Sequence, residues 1–121
     1  MYNIIAVVIA IILYLLYQKW STRNIKMVTG TELESMLSKN KKGLQLIDVR
    51  TSEEYKQHHV KGFKNIPLDQ IRSRLKEITP DKPVVVMCAS GSRSIKACKV
   101  LSKVGMADVI NLRGGIAAYR G

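Results

Sequence analysis

The chain has 121 residues, enough for one globular domain, and no internal repeat or low-complexity tract divides it. Its 20 Lys and Arg against nine Asp and Glu leave a formal charge of +11, yet the basic residues are scattered singly and aromatics make up only 6%. Without a basic stripe or a nucleic-acid-binding motif, this charge points away from nucleic acid. It fits a solvated surface, attraction of small anions and adhesion to an anionic leaflet.

Residues 1–18 carry no charge, and 4–16 hold no polar group except the Tyr14 hydroxyl. Every Lys, Arg, Asp and Glu lies beyond Gln18. As helix, this stretch spans about 27 Å, close to the roughly 30 Å of a bilayer's hydrocarbon. A pattern apolar on every face fits lipid better than one side of a small domain. Tyr17 and Trp20 read as interfacial aromatics, and Lys19, Arg23 and Lys26 follow at once, which places the rest of the chain in the cytoplasm. A cleaved signal peptide would need a basic start and a small-residue cleavage site, and Met1-Tyr2-Asn3 and Tyr17-Gln18-Lys19-Trp20 supply neither. The expectation is a single-pass cell-membrane anchor over 1–18, a juxtamembrane linker over 19–25 and one cytoplasmic domain over 26–121.

Within the domain, residues 26–28 read as a short strand. Thr29 and Glu32 have capping-box spacing and open a helix through Leu33, Met36 and Leu37. Residues 44–49 are a compact apolar run and predict a buried strand. Thr51 and Glu54 repeat the capping spacing before a short helix over 52–57, and 63–66 predict a brief strand stopped by Pro67. Leu68, Ile71, Leu75 and Ile78 recur at helical intervals. A strand over 83–87 follows, then a helix whose apolar face is Ile95, Cys98, Leu101 and Val104, with Gly105 as a left-handed cap. Residues 109–112 form the last strand, and Gly114-Gly115 turns into a final short helix. Strands alternating with helices predict an α/β domain: a central, mostly parallel five-stranded sheet with helices on both faces.

The chemistry gathers on Cys88-Ala89-Ser90-Gly91-Ser92-Arg93, between the apolar strand Val84-Val85-Val86-Met87 and the helix that follows. That layout places a thiol on a polar loop at the carboxyl end of a buried strand, where ligands of parallel sheets bind. Loop amides and a helix start favour negative charge, so Cys88 should ionise more readily than a free cysteine. The bland reading of Cys88, a buried small hydrophobe, fits the polar Ala-Ser-Gly-Ser-Arg sequence poorly. Cys98 reads the other way, as a core residue. Two cysteines so placed suit neither a disulfide scaffold nor a zinc site. The adjacent His58 and His59 diverge too far to chelate, so no metal and no cofactor is implied. Asp48 and Arg50 read as a structural ion pair, and Gly114-Gly115 as a close-packing turn near the loop.

Three ordered blocks then carry a resemblance. The first is Leu46-Ile47-Asp48-Val49-Arg50 with Glu54-Tyr55 and His59-Val60-Lys61-Gly62-Phe63-Lys64-Asn65-Ile66-Pro67-Leu68. The second is Val86-Met87-Cys88 through Ser94, and the third Asn111-Leu112-Arg113-Gly114-Gly115-Ile116-Ala117-Ala118-Tyr119. Together they resemble the rhodanese-like sulfurtransferases over nearly all of 27–121. His58 stands where that family usually has Gly, Phe63 where it has Ala, and Tyr119 where it has Trp. His58, closing a short helix, is expected to adopt positive φ.

The resemblance implies a rhodanese-like fold and covalent sulfur transfer. Cys88 takes the outer sulfur of an anionic donor such as thiosulfate as a persulfide, and a thiol or cyanide acceptor removes it. Backbone amides of Ala89, Ser90, Gly91, Ser92, Arg93 and Ser94 would cradle the sulfur, with Arg93 on the anionic donor and the serine hydroxyls as further donors. Four residues separate Cys88 from Arg93. Cysteine-dependent phosphatases have one more, so phosphoryl chemistry is disfavoured. The alternative from another class is a low-turnover persulfide carrier or interaction module for a membrane partner. The oligomeric state is left open.

Overall fold

The structure is a computed structural model that describes residues 2–22, 25–106 and 108–119. Five strands form one sheet in the order β1 (Ile25–Val28), β5 (Val109–Leu112), β4 (Val84–Met87), β2 (Gln45–Asp48) and β3 (Lys64–Asn65). Every pairing is parallel, so the sheet is wholly rather than mostly so. β4 lies at its centre and is buried along its whole length. Parallel central strands covered on both faces read as unbroken apolar runs, which is why Val84-Val85-Val86-Met87 announced itself.

Successive residues of β4 and β5 feed opposite cores, as the two-residue period of a strand requires. Val84, Val86, Cys88 and Val109 join Ala97, Cys98 and Leu101 of α4 (Ser92–Lys103), together with Ile71 and Ile78. Val85, Met87, Ile110 and Leu112 join Leu33 of α2 (Gly30–Asn40), Phe63, and Ile116 of α5 (Gly115–Ala118). α3 (Ser52–Gln57) starts with the predicted capping box. The Thr51 hydroxyl accepts from the Glu54 amide, and the Glu54 carboxylate accepts from the Thr51 amide. Gly105 is left-handed at φ +95°, as a helix cap there demands.

Several expectations need correcting. Residues 68–78 are not an α-helix but two 3₁₀ segments, Leu68–Gln70 and Arg72–Glu77, interrupted at Arg74. Over ten residues, apolar positions three and four apart serve a three-residue turn as well as a 3.6-residue one, and both bury Ile71 and Ile78. Val104 is half exposed and leaves the face assigned to it. His58 is extended at φ −162° rather than left-handed. The left-handed turn falls at Gly62 instead.

At the amino end, α1 (Tyr2–Thr22) is one helix. Its apolar side chains, among them Ile4, Val7, Ile11 and Leu15, stay exposed on all sides. The membrane span expected over 1–18 does not follow from the described residues, because no helix among them is long and apolar enough to cross a membrane. The unbroken apolar part, residues 4–17, rises only about 21 Å against roughly 30 Å of hydrocarbon. Asn3 and Gln18, which flank it, are polar and add no apolar length. Near its end, the Tyr17 ring lies 5.7 Å from Lys103 Nζ of α4. Arg23 and the side chain of Trp20, both named for the interfacial flank, lie outside the described residues.

Candidate active site

β4 delivers Cys88 to the carboxyl edge of the sheet, and the chain must then turn within three residues to start α4. Gly91 makes that turn at φ +105°, a left-handed conformation that other residues adopt only under strain. The turn aims the Gly91 amide back at the cysteine, donating to Cys88 Sγ over 2.9 Å. Ser94, on the first turn of α4 and fully buried, places its Oγ 3.4 Å from the sulfur while donating to the Gly91 carbonyl over 3.0 Å. Burial acts first on the Cys88 thiol, pushing it up. The Ser94 hydroxyl and the amides of Ser94, Gly91 and Ser90 outweigh it and bring the thiol below its ordinary value.

The reverse side of the loop is held by α5. The Ile116 amide donates to the Cys88 carbonyl over 2.8 Å, and the Ala117 amide to the Ala89 carbonyl over 3.1 Å. Gly115 makes this approach possible. Its φ is +58°, and a Cβ there would collide with the Cys88 carbonyl and press on Ala89. The Gly114-Gly115 pair is thus the close-packing turn that the sequence implied.

Arg93 is placed differently from its expected role on a free anion. Its guanidinium forms a two-pronged pair with Glu54 of α3, at 2.7 and 2.9 Å. Arg93 above all, with the Thr51 amide and hydroxyl, lowers the Glu54 carboxyl from an ordinary 4.5 to about 2, against the opposing effect of burial. Glu54 therefore caps α3 and ties down the loop at once. The hydroxyls of Ser90 and Ser92 are exposed and make no hydrogen bond to the sulfur, although the Ser90 amide acts on it. Cys88 has no exposed surface of its own, so a donor reaches Sγ only by displacing the loop edge.

Other expected roles fall into place around the loop. Asp48 and Arg50 are buried and paired at 2.8 Å, and Arg50 also donates to the carbonyls of His58 (2.6 Å) and Glu54 (3.4 Å). This is a structural clamp at the end of β2. Cys98 is buried, and burial pushes its thiol up to about 12, a core residue as expected. His59 stacks on Tyr55 at 4.1 Å, and among the described residues no cluster could hold a metal ion.

The sequence reading missed three residues beside the loop. Met27, Asn111 and Arg113 line a cleft of about 290 Å³ together with Ser90, Ser92 and Ile95. The signal was an asparagine inside a strand otherwise made of Val, Ile and Leu. A larger cleft, about 650 Å³, lies beyond Arg113 and Gly114 against Glu34 and Tyr119. There the Tyr119 hydroxyl donates to Glu34 over 2.9 Å, and burial and that partner raise the phenol to about 12.

The rhodanese-like domain profile matches residues 29–121. The Bacillus subtilis protein YqhL is 36% identical over 124 aligned positions, covering 100% of this chain and 95% of its own. The Escherichia coli thiosulfate sulfurtransferase PspE is 43% identical over 70 positions, covering 56% of this chain and 67% of its own. A rhodanese-like domain protein from Staphylococcus aureus superposes with a TM-score of 0.73 at 34% identity, covering 78% of this chain and 90% of that one. The chain belongs to the rhodanese-like family, and its general chemistry is sulfur transfer.

Proposed function

We propose that this protein carries sulfane sulfur on Cys88, taking it from a small anionic donor such as thiosulfate and passing it to a thiol or to cyanide. The observation that carries the reading is the Gly91 amide on Cys88 Sγ at 2.9 Å, with Ser94 beside it, in a thiol whose hydrogen bonds outweigh its burial. The kinship with a thiosulfate sulfurtransferase supports the choice of donor. In the first half-reaction the Cys88 thiolate attacks the outer sulfur of thiosulfate. An S–S bond forms on Sγ, the bond within the donor breaks, and sulfite leaves with its electron pair. The loop amides that held one negative sulfur then hold the outer one. In the second, a thiol attacks that outer sulfur, its proton stays on the product persulfide, and Cys88 leaves as thiolate. Ping-pong kinetics follow.

The shielding of Sγ favours a second reading, a slow persulfide carrier, because a covered persulfide resists adventitious reduction. The two separate cleanly. After thiosulfate treatment, mass spectrometry should find about 32 Da added to Cys88, one sulfur, and none in Cys88→Ser. Sustained thiocyanate production marks the enzyme, and a single turnover marks the carrier. Sulfur found on Cys98 instead would overturn both.

We further propose that the domain sits on the cytoplasmic side of the cell membrane, held there by the bare apolar surface of α1 rather than by a span. The support is the helix's uncharged, exposed surface on every face and the Lys19 that closes it.

A further inference from the structure

Asn111 lies in β5, paired in register with Met27 of β1 and Val86 of β4. Asn111 is 1% exposed, and among the described residues its Oδ1 has no hydrogen-bond partner. Among the described residues its Nδ2 has only the Met27 sulfur, at 3.5 Å. Turning the amide over would set Oδ1 against that sulfur and strand Nδ2, so either orientation leaves one buried polar group unmet. Such a group costs about 1–3 kcal/mol, which makes it a rare feature in a strand. The face it occupies is that of Val109 and Cys88, under α4.

The cleft over Asn111 has the makings of a binding site along the outer edge of the Cys88 loop. Ser90 and Ser92 belong to the Cys88 loop, Ile95 supplies an apolar wall, and Met27, 41% exposed, forms a displaceable cover. Arg113 is exposed at the rim, and its guanidinium pairs with no carboxylate among the described residues. At about 290 Å³ the space sits at the low end of small-molecule clefts. An occupant that satisfies every wall brings a hydrogen-bond donor to Asn111, a carboxylate to Arg113, and a sulfur or alkyl group to Met27 and Ile95.

We infer that this cleft is the acceptor subsite, and that the acceptor is a small thiol carrying both an amide N–H and a carboxylate. The inference rests on the sulfur-transfer reading above and names the class of its second substrate. With the amide on Asn111 Oδ1 and the carboxylate on Arg113, the acceptor thiol lies along the Ser90–Ser92 edge of the loop. From there it attacks the outer sulfur of the Cys88 persulfide. The new bond joins acceptor sulfur to outer sulfur, the bond to Sγ breaks, its electron pair returns to Cys88, and the acceptor's proton remains on the product.

The test has two arms on the full-length protein in mild detergent. In the first, Cys88 is loaded from thiosulfate, loading is read by mass, and persulfide loss is followed with three thiols at equal thiolate concentration. N-acetylcysteine has both recognition groups, N-acetylcysteamine lacks the carboxylate, and 3-mercaptopropionate lacks the N–H. The expected KM is about tenfold lower for N-acetylcysteine than for either analogue, the size of one or two lost hydrogen bonds. Asn111→Leu should erase the advantage over 3-mercaptopropionate, and Arg113→Gln the advantage over N-acetylcysteamine, both with kcat unchanged. The second arm needs no persulfide: N-acetyl-S-methylcysteine is titrated into the unloaded protein by calorimetry, with the Asn111 side-chain amide resonances followed. Binding that shifts those resonances and weakens about tenfold in each variant supports the subsite. Equal KM values for the three thiols, or no binding of the thioether, overturn it. Failure of Cys88 to take up sulfur sinks the transfer reading alone, since the second arm still decides the cleft.

Discussion

At Cys88 two opposed effects meet on one atom. Burial removes water that would solvate a thiolate, and the Gly91 amide with the Ser94 hydroxyl replaces it. Ser94→Ala removes one of those hydrogen-bond partners, so the pH midpoint of Cys88 alkylation by iodoacetamide should move upward, while stability falls by only about 1 kcal/mol. An unmoved midpoint would show that the amides suffice alone. Arg93 raises a separate question, since its charge is largely spent on Glu54. Glu54 has a depressed pKa, so the pair's modest contribution is complete above the ordinary 4.5 and is lost as pH falls through about 2. At neutral pH, Glu54→Gln frees the guanidinium and should lower the KM for thiosulfate roughly two- to fivefold, with Arg93→Ala raising it by a similar factor. If both variants raise KM, Arg93 is a strut and does not bind donor.

Elements converge on the loop from three directions: β4 brings the cysteine, α4 closes over it, and α5 grips its carbonyls from behind. The last contact is the least forgiving. Gly115→Ala combines a left-handed φ with a Cβ driven into the Cys88 carbonyl, so we expect at least about 3 kcal/mol of destabilisation and a melting temperature lower by roughly 10 °C or more. Differential scanning calorimetry measures it, and a loss under 1 kcal/mol would mean that α5 can withdraw without cost. The Asp48–Arg50 clamp works on the neighbouring strand. By holding the carbonyls of Glu54 and His58, it fixes the end of α3. That helix in turn presents Glu54 to Arg93.

The whole molecule joins a self-sufficient α/β domain to an apolar helix that the domain leaves bare. Such a surface is costly in water at about 25 cal/mol per Å², so something covers it. If α1 buries this surface in a bilayer, the protein should stay with membranes through a high-salt wash, and residues 25–121 alone should stay in the supernatant. An impermeant maleimide applied to intact cells should leave a cysteine placed at the exposed Lys61 (Lys61→Cys) unlabelled until the cells are opened. Release by high salt would place α1 against a protein partner instead.

Much of this architecture could be read from one-dimensional pattern. The β-branched runs at 84–87 and 109–112, the capping box at Thr51 and the polar loop after β4 depend on neighbours in sequence, where local sterics and hydrogen bonds decide. The Cys88 loop was legible for the same reason: its turn, its amides and its sulfur lie within seven residues. Pattern failed where two solutions share a period, as in the 3₁₀ segments over 68–77, and where hydrophobicity stood in for length, as in α1. Three features came only with the folded chain. Arg93 meets Glu54 across 39 positions, Gly115 meets the Cys88 carbonyl, and Asn111 Oδ1 is left without a hydrogen-bond partner among the described residues. Each is a contact, or a missing contact, between strands and helices distant in sequence, and no local rule encodes which distant groups a parallel sheet will bring to the same edge.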